Sequence, residues 1–121
     1  MALDVVLDTH RLATLVDEVG DIGTVRGAVG AFLEEIPFRL RAVARAAVAG
    51  TPQEVGQAAH ALGSPASMLG AEAVRAVTSA LQDAAARGAD EEYPWLVDDL
   101  ESALARTEAA MRDYLDATAS A

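Results

Sequence analysis

Gly50-Thr51-Pro52-Gln53-Glu54 is the stretch that decides the fold. Glycine stops a helix, a threonine followed three residues later by glutamate makes a capping box, and proline at the first helical position needs no amide partner. One helix therefore ends near residue 49 and another begins at 52, which leaves room only for a tight reversal. Downstream, Val55, Ala59, Leu62, Ala66 and Leu69 recur at spacings of three and four, so a helix over about 52–69 buries one stripe. Upstream, Val25, Val29, Phe32, Ile36, Leu40, Val43 and Ala47 mark a long helix over about 21–49. Pro37 should bend that helix without ending it, because the stripe continues in phase.

Working outward, Gly20 and Asp21 form a stop and an N-cap that separate the long helix from a leading one over about 8–19, with Leu12, Leu15, Val16 and Val19 on one face. Gly70 and Gly88 bound a further helix over about 71–87, whose inner positions are Val74, Val77, Thr78, Leu81 and Ala85. Asp90 and Pro94 open the last helix, over about 90–118, with Leu96, Leu100, Leu104, Met111 and Leu115 inward. The composition is 52% hydrophobic yet only 4% aromatic, which suits closely approaching helices better than strands. The chain has room for one core, so the expected fold is all-α: a single domain over 1–121, built as an antiparallel up-down four-helix bundle with a short additional N-terminal helix.

The formal charge is −10, with nine arginines and no lysine. Such a surface repels phosphate backbones and anionic lipids, so neither nucleic acid nor a membrane is the expected partner, and a protein is. Without cysteine there is no disulfide and no thiolate ligand or nucleophile. No apolar run reaches membrane-spanning length, and the N-terminus lacks a signal-peptide pattern, so the expected location is the cytoplasm. Two distant histidines with no Glu-x-x-His pair give no metal site, and no nucleotide motif or Ser-His-Asp arrangement is present.

Of the two histidines, His10 has no motif around it and reads as surface. His60 lies about 200° around its helix from Leu62, away from the buried stripe and beside Gly56, Gln57, Gly63, Ser64 and Ser67. Interior glycines cost a helix roughly 1 kcal/mol each, so two of them flanking one histidine need a reason, and open access to the imidazole is one.

The run Ala59-His60-Ala61-Leu62-Gly63-Ser64-Pro65-Ala66-Ser67-Met68-Leu69-Gly70-Ala71 resembles the signature of histidine-containing phosphotransfer (HPt) domains, roughly A-H-x-L-K-G-S-x-x-x-L-G-A. The histidine, the leucine two after it and Leu69-Gly70-Ala71 fall in register without a gap. The resemblance extends to Phe32-Leu33-Glu34-Glu35-Ile36-Pro37, the Gly50 turn and Leu81-Gln82. It implies a four-helix bundle with His60 as phosphoacceptor, through Nε2, and Gln82 hydrogen-bonded near the imidazole or its phosphoryl group. It implies a monomeric phosphocarrier without kinase activity or cofactor, whose partners are a response-regulator receiver domain, a hybrid histidine kinase, or both, with Mg²⁺ only on the receiver.

Three adjacent positions depart from the pattern: Gly63 stands where the family has a phosphate-supporting lysine, Ser64 replaces a glycine, and Pro65 follows. Pro65 either kinks the helix or breaks it, and continuity of Leu62, Ala66 and Leu69 favours the kink. These departures leave open an HPt-like module that docks a receiver or kinase without being phosphorylated; a plain helical interaction domain is the remaining reading. A lysine restored at position 63 is expected to speed phosphorylation and to stabilise the helix.

Counting residues from the Gly50 turn brings Phe38, Arg41 and Arg45, one stripe at spacings of three and four, level with His60. Arg41 or Arg45 could then supply the missing charge, with Phe38, Gln57 and Ser67 as docking contacts. The alternative is that the arginines only offset nearby acids and Phe38 packs at the bundle rim. The same count across the Gly70 turn sets residues 79–83 level with His60.

Overall fold

The computed structural model describes residues 5–120, so residues 1–4 and 121 of the single-domain expectation lie outside it. The elements are α1 (Thr9–Val19), α2 (Ile22–Ala49), α3 (Pro52–Met68), α4 (Glu72–Arg87), a 3₁₀ turn (Asp90–Glu92) and α5 (Tyr93–Ala117). The capping chemistry read from the sequence is present at the starts of α2 and α3, and α1 has a side-chain cap as well. Asp8 accepts from the Arg11 amide, Asp21 from the Gly23 amide, and Thr51 from the Glu54 amide at 3.2 Å while the Glu54 carboxylate accepts from the Thr51 amide at 2.8 Å. Gly50 is extended, and a Cβ there would lie 2.9 Å from the Ala46 carbonyl oxygen. Close approach to the preceding turn therefore selects glycine at this reversal.

Helices α2 to α5 pack in sequence, each against the next, and α5 closes the bundle against α2. The Arg26 guanidinium at the start of α2 donates to the Leu115 carbonyl and the Thr118 hydroxyl at the end of α5, both at 2.8 Å, so these helices run antiparallel. The leading segment is tied to the α3–α4 turn by the Asp8 amide, which donates to the Gly70 carbonyl at 2.8 Å, and Leu12 is fully buried.

The core holds Val25, Val29, Phe32, Ile36 and Val43 from α2, and Val55, Ala59, Leu62, Ala66 and Leu69 from α3 and its end. Val74 and Leu81 from α4 and Leu96, Leu100, Leu104 and Met111 from α5 join them, with the Thr78 side chain also buried. At roughly 1.5–3 kcal/mol per large side chain removed from water, this stripe pattern is the main source of stability. Two expectations change. Val19 is 48% exposed, because α1 lies across the bundle end and offers only Leu12, Leu15 and Val16 to it. Residues 90–92 form a separate 3₁₀ turn, and α5 starts at the buried Tyr93 without a side-chain cap. As the continuous stripe favoured, α3 does not break at Pro65 but runs through it, with Leu62 and Ala66 buried on either side. Among the described residues no helix is long and apolar enough to cross a membrane.

Candidate functional site

α3 and α4 are the most closely packed pair in the bundle, and the residue that permits this is Gly63. A Cβ at Gly63 would lie 2.5 Å from the Thr78 hydroxyl oxygen and 3.1 Å from its Cβ. Thr78 is 1% exposed, and its hydroxyl donates to the Arg75 carbonyl at 3.0 Å. Gly63 is thus a seat for α4, which corrects the reading of it as clearance for the imidazole, and a lysine at this position would collide with Thr78. Gly56 differs: a Cβ there would meet only Ala85, at 4.0 Å.

This contact fixes the register between the two helices. On α3, His60, Ser64 and Ser67 follow one another at spacings of four and three; on α4, Arg75, Ser79 and Gln82 do the same. Because the helices are antiparallel, His60 lies across from Gln82, Ser64 from Ser79 and Ser67 from Arg75. Two depressions meet at His60. One, of about 540 Å³, is lined by Pro52, Gly56, Gln57, His60, Gln82 and Ala85 among others. The other, of about 390 Å³, is lined by His60, Gly63, Ser64, Ser67, Arg75, Thr78, Ser79 and Gln82. His60 is exposed, Gln82 is half-buried and borders both depressions, and among the described residues His60 has no side-chain hydrogen bond or ion pair.

The residues expected on α2 are placed elsewhere. Arg45 lines a separate groove between α2 and α3 with Ala42, Glu54 and Gln57. The Arg41 guanidinium lies over the Phe38 ring, 5.8 Å from its centroid, a cation–π contact on the surface. Neither arginine shares a depression with His60, and neither forms an ion pair among the described residues. Phe38 is 64% exposed, so it does not pack at the rim of the core. Gln57 borders His60 on one side and the α2–α3 groove on the other.

Arg75 and Thr78 are the cleft residues that sequence reasoning missed, whereas Ser79 begins the span set level with His60. The signal was available in part, since Arg75-Ser79-Gln82 is a helical stripe that includes the glutamine already singled out. The described residues contain no group of acidic and histidine side chains able to hold a metal ion. An exposed imidazole on a rigid helix, beside a hydroxyl-lined cleft that carries one guanidinium, can act as a nucleophile toward phosphorus and accommodate an anion.

The sequence profile described as "Hpt domain" matches residues 27–120. No curated protein sequence matches the chain. Among solved structures, histidine-containing phosphotransfer protein B from Pseudomonas aeruginosa PAO1 superposes with a TM-score of 0.83 at 23% sequence identity, over 92% of this chain and 95% of that one. That likeness shows the same fold.

Proposed function

Because the chain belongs to the Hpt domain family, whose members carry phosphoryl groups between histidine and aspartate in phosphorelays and are not kinases themselves, we propose that His60 is the residue that carries the group. The observation that supports this most is the placement of His60: exposed on α3, unpaired, and at the meeting point of two depressions that Gln82 also borders. Hpt domains work with receiver and kinase domains of two-component systems. For this chain the reaction reads as follows. The Nε2 atom of His60 attacks the phosphorus of a receiver's aspartyl phosphate, the N–P bond forms as the P–O bond to the carboxylate breaks, and the ring N–H proton is lost. Reversal returns the group to aspartate.

The protein's own contribution is alignment, since phosphoryl transfer depends mainly on positioning and charge neutralisation. In this reading Gln82 orients the imidazole or a phosphoryl oxygen from α4, and the receiver seats over Phe38, Gln57 and Ser67, with Arg41 and Arg45 at the edge. Ser64 offers a hydroxyl, whereas Gly63 offers none and serves helix packing.

The test is transfer of label from a phosphorylated receiver domain to the wild-type chain and to His60→Gln. The reading expects labelled wild type and unlabelled His60→Gln with unchanged helical content. Receiver binding with no label on the wild type would instead establish a docking module, the reading that Gly63 and Pro65 suggest.

A further inference from the structure

We propose that the cleft between His60 and Arg75 receives the phosphoryl group of phospho-His60, and that Arg75 supplies the positive charge which position 63 lacks. This rests on His60 being the phosphoacceptor. Three observations carry it. The Gly63–Thr78 contact leaves no space for a longer side chain at 63, so the charge has to come from another element. Among the described residues Arg75 is the only charged side chain lining this cleft beside His60, and the other polar lining groups are the hydroxyls of Ser64, Ser67, Thr78 and Ser79 and the Gln82 amide. Arg41 and Arg45 line neither depression beside His60.

In the structure Arg75 is held toward the start of α4, where its Nε donates to the Glu72 carboxylate at 3.1 Å; the two side chains are 47% and 34% exposed. The terminal nitrogens of its guanidinium have no partner among the described residues. A single exposed ion pair of this kind is weak, and a phosphoryl dianion is a stronger acceptor for a guanidinium than one carboxylate. Phosphorylation of His60 therefore draws Arg75 from Glu72 into the cleft, while Ser64 and Ser79, opposite each other between His60 and Arg75, donate to the phosphoryl oxygens. Glu72 is a competitor for the same guanidinium, so removing its charge favours the phosphorylated state.

The experiment uses phosphoramidate as donor, which takes the receiver and its docking surface out of the measurement. The P–N bond of the donor breaks as the Nε2–P bond forms, ammonia leaves, and the imidazole N–H proton is lost. Labelling rate, and the pH titration of the phosphohistidine ³¹P resonance, are compared in wild type, Arg75→Gln, Arg75→Lys, Glu72→Gln, Arg112→Gln and His60→Gln. The inference expects Arg75→Gln to slow labelling about threefold to tenfold, the size of one charge contact at surface dielectric. It also expects the second phosphoryl ionisation to move to higher pH in Arg75→Gln, partial recovery of both in Arg75→Lys, and a faster rate in Glu72→Gln. Arg112→Gln, on α5 and paired there with Glu108, should match wild type. If His60 is labelled and Arg75→Gln changes neither rate nor titration, Arg75 is an ion-pair partner of Glu72 only, and the inference falls while the carrier function stands. Label that persists in His60→Gln would overturn the phosphoacceptor itself.

Discussion

Replacing Gly63 by alanine adds one methyl group at the point where α3 and α4 come closest. In a helix interior alanine is worth about 1 kcal/mol over glycine, so a freely exposed position would gain stability. Here the new Cβ would lie 2.5 Å from the Thr78 hydroxyl oxygen, and Thr78 is buried, β-branched and hydrogen-bonded to the Arg75 carbonyl. Overpacking of this kind costs roughly 1–3 kcal/mol, so the net expectation is a loss of about 1 kcal/mol. For a chain of this size that lowers the melting temperature by roughly 4 °C. Thr78→Ala removes the atom at 2.5 Å and leaves the Cβ at 3.1 Å, a contact that a small shift relieves. In that background Gly63→Ala should be neutral or stabilising by up to about 1 kcal/mol. Urea denaturation of the four proteins gives the coupling energy directly, expected at about 1–2 kcal/mol. Additive effects, or an alanine that stabilises the wild-type background, would refute the argument that Thr78 selects glycine at 63.

Phe38→Ala should weaken receiver binding by more than about 1 kcal/mol, as expected for a central aromatic anchor. Its melting temperature should stay within a degree or two of wild type because the ring is 64% exposed; unchanged affinity by titration calorimetry would remove Phe38 from the docking surface. The Asp21 carboxylate accepts from the Thr24 hydroxyl at 2.8 Å and the Gly23 amide at 3.0 Å, which holds its carboxyl below the ordinary value of 3.8. A group depressed on folding stabilises above its unfolded pKa and loses that contribution as pH falls through the lower folded value, so Asp21→Asn should flatten the acid limb of melting temperature against pH below about 3.8. The Tyr93 hydroxyl is buried without a hydrogen-bond partner among the described residues, so Tyr93→Phe should be neutral or stabilising by up to about 1 kcal/mol in urea; a clear loss would mean that the hydroxyl is satisfied.

The helix boundaries around residues 49–52 were legible because the signals there are local. Thr51, Pro52 and Glu54 interact with their own backbone and need no other element, and Val55, Ala59, Leu62 and Ala66 sit on a face that helical geometry alone defines. His60 was legible for the same reason, as the exposed member of a patterned helix. What escaped depends on how one helix sits against another. Counting residues from a turn sets the height of a side chain but not its direction, so Arg41 and Arg45 were level with His60 yet border neither depression beside it. The meaning of Gly63 required knowing that Thr78 lies opposite, and with that pairing Arg75 falls into place across from Ser67. Val19 shows the same limit: it continues the apolar stripe of α1, yet it is 48% exposed.

The central claim is that the phosphoryl group resides on His60. The most direct measurement is the NMR spectrum of the protein labelled with ¹⁵N-histidine, recorded before and after reaction with a phosphorylated receiver domain. The account predicts that the Nε2 resonance of His60 shifts and shows coupling to phosphorus, while both nitrogens of His10 stay where they were. An unmodified His60 in a protein that binds the receiver, or a phosphorus coupling on His10, would contradict it.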